Sequence, residues 1–216
     1  MKIPLKLILP LVIAMTQAGC VTGRRSFDVP LERSAALPGP ARSTFFFKDI
    51  SDDRHFENRP PDPSTPSIKG DVNSLSPAER SKFIGRQRNG YGHAEGDIIL
   101  PDGMTVQDKM KELLTEGLNR LGYSVVADAN ATNTATVQIQ EFWSWMTPGF
   151  FALSFEARLG CNVVIVRDGK TITFEARGYA LNHGQFAKDK NWQEAYQEAF
   201  EDFLKDFDQQ LKANGY

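Results

Sequence analysis

The stretch LSFEARLGCNVVIVRDGKTITFEA, residues 153–176, decides the fold class of this chain. In its first half an apolar side chain occupies every second position, which is the period of a strand with one buried face. Asp168 and Gly169 then form the dipeptide that is typical of a two-residue hairpin turn. The same alternation resumes at residues 172–176. The stretch therefore predicts two long antiparallel strands that share one core-facing surface.

Segments on both sides of this hairpin add strands and two amphipathic helices. Residues 134–146 extend the meander upstream, and residues 44–50 are an aromatic and apolar run typical of a buried strand. Apolar residues at three- and four-residue steps predict helices over 105–121 and 191–213. The stripe of the last helix consists of Trp192, Tyr196, Phe200, Phe203, Leu204, Phe207 and Leu211. We therefore predict an α+β fold, a two-layer α/β domain over residues 44–216, in which a mostly antiparallel sheet carries both helices on one face.

The segment between the first strand and the first long helix is less regular. Four prolines in residues 60–66 predict a loop. Ser76, Pro77 and Glu79 have the spacing of a capping box with proline at the first helical position, so we predict a short helix that ends near Asn89. Its basic residues are Arg80, Lys82, Arg86 and Arg88. We interpret them as a solvated face, with contact to lipid phosphates or an acidic partner as the alternative.

The first twenty residues have the layout of a secretory signal. Two lysines supply a positive start, residues 7–15 (LILPLVIAM) supply an apolar core, and a pair of small residues precedes Cys20. The apolar core is shorter than the roughly 20 residues that a membrane-spanning helix needs. Residues 1–19 are therefore expected to direct export and then to be removed.

The sequence ending at Cys20 resembles the lipobox of bacterial lipoproteins, with Gln17 at the position where leucine is usual. The resemblance implies that Cys20 becomes the first mature residue, with diacylglycerol on its sulfur and an acyl chain such as palmitate on its amine. Two or more acyl chains give stable anchoring. The residue after Cys20 is Val21 and not aspartate, which in such lipoproteins implies sorting to the outer membrane and its periplasmic face. An ordinary signal with a coincidental cysteine is the alternative.

Charge and composition restrict the class of partner. Removing residues 1–19 takes away two lysines and no acidic residue, so the net charge changes from −2 to −4. This balance argues against a nucleic-acid partner, which would require a basic face. Residues 21–43 contain three prolines and four arginines with little apolar periodicity. Together with Cys20 they are predicted to form a flexible tether, with a partner-binding segment as the alternative.

Two candidate features lie in the meander itself. The turn near Pro148 is predicted to carry a large apolar cluster, which we interpret as a contact surface because hairpin turns are normally polar. The cluster consists of Trp143, Trp145, Met146, Phe150 and Phe151. Alternation places Trp143 and Trp145 on one strand face with Val137 and Ile139, so burial in the core is the alternative for both. Cys161 shares its strand face with other apolar residues and is predicted to be a buried, unreactive thiol.

Several features in this order resemble the YajG-type family of uncharacterised bacterial lipoproteins, which are proteins of the outer membrane. They are a signal ending in Cys20, a first strand finishing at 52–54, a helix ending at 121–123, an Asp-Gly hairpin at 168–169 and an amphipathic final helix. The resemblance covers about residues 44–212 and rests on pattern and order. It implies no catalytic residues, because the family has no established activity.

Two functions from different classes follow from these observations. The first is a non-catalytic binding or assembly subunit, anchored to the membrane through its N-terminal lipid and contacting an envelope protein, with no cofactor and no metal. The alternative is an envelope hydrolase of peptidoglycan or another glycan, using the carboxylates of Asp52, Asp53 and Glu95 with His93. The chain has no G-x-S-x-G or H-E-x-x-H motif, and its three histidines lack metal-ligand spacing.

Overall fold

The computed structural model describes residues 23–35, 37, 39–89, 93–149 and 152–216, in which the chain forms eight strands and three α-helices. The strands are β1 Arg25–Ser26, β2 Thr44–Asp52, β3 Phe83–Arg88, β4 Ala94–Ile99, β5 Ser124–Val125, β6 Asn133–Pro148, β7 Leu153–Arg167 and β8 Lys170–Gly184. The helices are α1 Pro77–Arg80, α2 Val106–Arg120 and α3 Asp189–Ala213. In the described part of the chain, no helix combines the length and the apolar content that crossing a membrane requires.

All eight strands belong to one mixed sheet with β6 at its centre. One edge of β6 pairs with β7, which pairs in turn with β8, and both pairings are antiparallel as the hairpin pattern predicts. The other edge of β6 pairs in parallel first with β2 and then with β3. The β1–β4 and β2–β5 pairings are also parallel, so the prediction of a mostly antiparallel sheet is corrected to a mixed one. Alternation reports which face a residue occupies and not the direction of the neighbouring strand.

The predicted hairpin is confirmed between β7 and β8. Asp168 and Gly169 have φ angles of 51° and 73°, and Arg167 pairs with Lys170 across the turn. Positive φ at both central residues matches the right-handed twist of the flanking strands. On the core-facing side of β7 lies Cys161, and burial raises the pKa of its thiol to about 12. The prediction of a buried, structural cysteine is therefore confirmed.

The two long helices pack on one face of the sheet. Thr105 and Asp108 form a capping box at the start of α2, where the Thr105 hydroxyl accepts a hydrogen bond from the Asp108 amide. A Cβ atom on Gly117 of α2 would lie 2.7 Å from Cδ1 of Phe207, so this glycine lets α3 approach α2 closely. Helix α3 begins two residues before the predicted cap Asn191. Its predicted aromatic stripe is buried against β7 and β8.

The predicted helix after Pro77 is wrong beyond its first turn. The capping box of Ser76 and Glu79 is present, but α1 ends at Arg80 and the chain continues as strand β3. Backbone pairing with β4 and β6 on both sides outweighs the local helical preference of residues 83–88. Arg86 and Arg88 therefore lie on a strand and not on a solvated helix face, whereas Arg80 ends α1 and Lys82 precedes β3.

A β-bulge in β6 decides which face each aromatic residue occupies. Ile139 pairs with Cys161 and Glu141 pairs with Gly160, which leaves Gln140 without a partner. The extra residue inverts the alternation, because side chains on a strand change face at every position. After the bulge Phe142 and Met146 join the core beneath the helices. The two tryptophans of β6 instead join a second cluster with Phe56, Ile68, Val72 and Phe83 on the opposite face.

The side chain of Arg54 fills the place where β6 changes partner from β2 to β3. It forms a bidentate pair with Asp52, at 2.7 and 2.8 Å. It also donates to the carbonyls of Phe83, Phe142 and Arg80, at 2.7, 2.8 and 3.2 Å. The guanidinium thus satisfies backbone acceptors that the interrupted strand pairing leaves open.

Candidate functional site

The structure buries the described part of the predicted aromatic contact surface. Trp143, Trp145 and Met146 are 1%, 3% and 4% exposed, so they are core residues and the prediction is corrected for these three. The Trp143 indole donates to the Pro63 carbonyl, and the proline-containing loop covers this face of the sheet. Phe150 and Phe151 lie outside the described residues, and the prediction for these two stays a prediction.

The carboxylates and the histidine that we considered for hydrolysis are not brought together. In the strand register Asp52 pairs with Ile139 of β6. Glu95 lies on β4, which β3 separates from β6, and its position there corresponds to about Thr147 of β6. These positions on β6 are separated by about 26 Å at roughly 3.3 Å per residue. His93 lies beside Glu95 in sequence, and Asp52 is bound to Arg54. Across the described ranges, no group of three His, Cys, Asp or Glu side chains is placed to hold a metal ion.

The segment predicted to be a tether is packed on the domain in its described part. Arg25 and Ser26 form strand β1 beside β4, and Phe27 and Val29 are buried in the main core. Residues 25–29 therefore pack on the domain that was predicted to begin at residue 44, and they do not form a free tether. The sequence signal for this docking is the alternation of Phe27, Val29 and Leu31, which is masked by the prolines and arginines around it.

Polar contacts hold this N-terminal segment against both long helices. The Arg25 guanidinium donates to the Ala187 carbonyl at 2.9 Å and forms an ion pair with Asp189 at the start of α3. The Lys109 ammonium of α2 lies 2.6 Å from a carboxylate oxygen of Asp28. Because these partners come from separate elements, the course of residues 25–29 is fixed by tertiary contacts.

Gly23, the first described residue, lies at one end of the sheet, which we call the Gly23 end. It consists of residues 23–25, 93–96, 152–154 and 184–190. The strand register brings these segments together, since Leu153 pairs with Gly184 and Arg25 contacts Ala187. Phe186 is 70% exposed there, and the Lys188 ammonium lies 5.9 Å from the centre of its ring. This end therefore presents an exposed aromatic ring together with basic side chains.

A second feature is a cleft of about 670 Å³ between β3 and the loop of residues 58–71. Its lining residues are Asn58, Arg59, Ile68, Lys69, Gly70, Asp71 and Arg86. Arg86 is 7% exposed, and its Nε is buried without a hydrogen-bond acceptor anywhere in the described part of the chain. Its Nη1 lies 3.7 Å from Asp97 Oδ1, which is too far for a hydrogen bond.

Asp97 is itself occupied by other groups. Its Oδ1 accepts a hydrogen bond from the Lys69 amide at 2.8 Å, and its Oδ2 lies 3.9 Å from Arg24 Nη2. Burial lowers the pKa of Arg86, and the charge of Asp97 opposes this shift. The cleft thus contains a buried cation whose donors are incompletely used. The sequence pattern predicts Arg86 on a solvated helix face, whereas its position in strand β3 buries it.

Comparisons with known proteins agree with the sequence pattern. A model of the family Lipoprotein_16, described as uncharacterised lipoprotein, matches residues 98–216, which include α2 and the strands from β5 to β8. This agrees with the resemblance to YajG-type lipoproteins. No curated protein sequence matches the chain.

The solved structures that match this chain are distant from it in sequence. An uncharacterised protein is 7% identical, over 88% of this chain and 99% of its own, with a TM-score of 0.46. Protein XCC0632 from Xanthomonas campestris, of the DUF330 family, is 8% identical over 88% and 99%, with a TM-score of 0.46. Hypothetical protein CT253 from Chlamydia trachomatis is 9% identical over 81% and 100%, with a TM-score of 0.44. On the family match, which spans more than half of its residues, the chain belongs to the uncharacterised lipoprotein family.

Proposed function

We propose that this lipoprotein is anchored through Cys20 to the periplasmic face of the outer membrane and acts there as a non-catalytic binding or assembly subunit. The docking of residues 25–29 on the sheet is the observation that carries the proposal. Two residues, Val21 and Thr22, separate Cys20 from Gly23, and an extended chain spans at most about 11 Å over these three residue-to-residue steps. The Gly23 end of the domain therefore lies against the lipid headgroups.

This arrangement replaces the flexible tether with a short connection. A coil of residues 21–43 would hold the domain a few nanometres from the bilayer, whereas a docked segment allows about one nanometre. Phe186 and Lys188 at the Gly23 end suit such a position, because aromatic and basic side chains are favoured at membrane interfaces. The residue after Cys20 is Val21, which supports sorting to the outer membrane.

A binding or assembly role fits the distribution of reactive groups. His93 and Glu95 lie at the Gly23 end, whereas Asp52 is bound to Arg54 beside Ile139, near the middle of β6. General acid–base chemistry needs both groups within hydrogen-bond reach of one substrate. The hydrolase alternative therefore has no supporting constellation among the residues that the structure describes.

The anchoring is tested by membrane fractionation of the Cys20→Ser variant. We expect the unmodified protein to sediment with outer membranes on a density gradient and Cys20→Ser to move to the soluble periplasmic fraction. Cys161→Ala is the matched control, because it removes the other cysteine and leaves the anchor. Sedimentation of Cys20→Ser with outer membranes would place the anchor elsewhere.

Crosslinking the anchored protein in whole envelopes and isolating it should yield one dominant envelope protein, whereas recovery of a glycan would favour the hydrolase.

A further inference from the structure

The buried guanidinium of Arg86 is incompletely satisfied. A buried donor without an acceptor lowers stability by about the free energy of desolvating that group, and this penalty is larger for a charged group. Buried arginines therefore normally donate several hydrogen bonds, as Arg54 does in this chain. The nearest carboxylate to Arg86 is Asp97, at 3.7 Å, and its Oδ1 already accepts the Lys69 amide. A ligand with free oxygen acceptors would complete the environment of Arg86.

The cleft in front of Arg86 is open and carries excess positive charge. Arg59, Lys69 and Arg86 line it, with Asp71 as the acidic lining residue. Asp71 Oδ1 accepts hydrogen bonds from the Asn58 side chain and from the Asn73 amide, which engages its negative charge within the loop. A Cβ atom on Gly70 would meet nothing within 4 Å, so this side of the cleft is unobstructed.

We propose that this cleft binds an oxyanion, with a phosphate group as its ligand. The Arg86 fork matches the oxygen geometry of phosphate, and Lys69 and Arg59 add two mobile cations at the rim. The site goes beyond the proposed function and does not depend on lipidation of Cys20. Arg24 belongs to the Gly23 end and lies 3.9 Å from Asp97, so the cleft is close to the end of the domain that faces the membrane in the proposed arrangement. The phosphate of a lipid headgroup and a soluble phosphate compound are therefore two sources of the same ligand chemistry.

The first experiment measures thermal unfolding of the full chain carrying Cys20→Ser and purified without lipid. Sodium phosphate is compared with sodium chloride at equal ionic strength, so that general screening is the same in both. Phosphate should raise Tm by about 2–4 °C once its concentration exceeds Kd several-fold. Titration calorimetry with inorganic phosphate then gives Kd directly.

Variants assign the effect to the cleft. Arg86→Gln should weaken phosphate binding by about tenfold or more, because it removes the charged fork. Arg177→Gln is the matched control, since Arg177 is an exposed arginine paired with Glu175 on β8 and should leave Kd unchanged. If Arg86→Gln does not fold, the double variant Arg59→Gln with Lys69→Gln replaces it. That variant keeps the Lys69 backbone contact to Asp97 and should weaken binding by about three- to tenfold.

A vesicle experiment separates the two sources of phosphate. The same lipid-free protein is floated with vesicles of phosphatidylglycerol and phosphatidylcholine. Flotation that requires Arg86 and is reversed by inorganic phosphate identifies a headgroup ligand. A phosphate-dependent Tm without flotation identifies a soluble phosphate compound, and both results support the site. The proposal is overturned if phosphate and chloride give the same Tm, or if the phosphate effect is equal in every variant.

Discussion

Arg54 and Arg86 are two arginines that this fold buries to nearly the same extent, 6% and 7% exposed, in very different surroundings. Arg54 donates five hydrogen bonds, of which two reach Asp52 and three reach backbone carbonyls. The Nε of Arg86 donates none in the described part of the chain. Burial alone therefore does not define the role of a charged side chain. The number of hydrogen-bond acceptors around a buried arginine distinguishes a residue that holds strands together from a residue that can bind a ligand.

The contrast predicts a large loss of stability at the satisfied arginine. Arg54→Met should lower the free energy of unfolding by about 3–5 kcal/mol, because it leaves the Asp52 carboxylate, whose side chain is only 8% exposed, without its cation and three carbonyls without donors. Guanidinium chloride unfolding of the purified chain measures this change. A loss below about 1 kcal/mol would show that Arg54 is not the joint between β2, β3 and β6.

Cys161 sharpens the comparison as a buried group that carries no charge. Burial raises the pKa of its thiol to about 12 in the folded state, above the value of about 8.5 for an exposed cysteine. The unfolded chain therefore loses this proton first, and the stabilising contribution is complete below about pH 8.5 and is lost as the pH rises towards 12. The expected loss is about 1.4 kcal/mol per pH unit in this window.

The difference between the unmodified chain and Cys161→Ala isolates that contribution from other groups. Urea unfolding at pH 8, 9 and 10 should show a steeper decline for the unmodified chain. Parallel slopes would mean that the folded thiol ionises as easily as the unfolded one. Slow reaction of the native thiol with a water-soluble reagent, compared with the denatured chain, is the matching observation at constant pH.

At the unsatisfied arginine the comparison predicts a much smaller effect. In phosphate-free buffer, Arg86→Met should change the free energy of unfolding by less than about 1 kcal/mol or raise it, because an apolar side chain has no donors to satisfy. The same unfolding experiment as for Arg54→Met measures it. A loss as large as that of Arg54→Met would mean that Asp97 holds Arg86 as a structural pair. The two arginines would then have the same structural role.

The smallest effect is expected at an exposed arginine. Arg177 is ion-paired with Glu175 at 2.7 Å, and its side chain is 68% exposed. Exposed pairs contribute little, so Arg177→Gln should change the free energy of unfolding by less than about 0.5 kcal/mol. A larger loss, measured alongside the two methionine variants, would show that removing any arginine from this chain is destabilising.

Much of the fold was predictable because local patterns specify it. The hairpin at Asp168 and Gly169, the helix that starts at Thr105 and the burial of Cys161 all follow from residue periods and turn residues. Each of these features depends on neighbours within a few positions along the chain. The predicted export signal and the predicted lipidation site Cys20 are likewise sequence patterns, and they lie outside the described residues.

The candidate sites were less predictable, because they depend on residues far apart in sequence. The bulge at Gln140 moves Trp143 and Trp145 to the face opposite the one that strict alternation assigns. Docking of residues 25–29 requires β4 and the start of α3, which come about 70 and 160 positions later. Single-residue insertions in a ladder and edge pairing leave no clear local signature.

The sequence by itself determined the resemblance to a lipoprotein family and a fold of mixed helix and strand with one long hairpin, because hydrophobic period, turn chemistry and the predicted signal are all local patterns. The tertiary structure decided the rest. It turned residues 83–88 from a predicted helix into a strand, and thereby buried Arg86 beside Asp97. Strand pairing and desolvation are set by distant segments, so only the folded chain distinguishes the satisfied Arg54 from the unsatisfied Arg86.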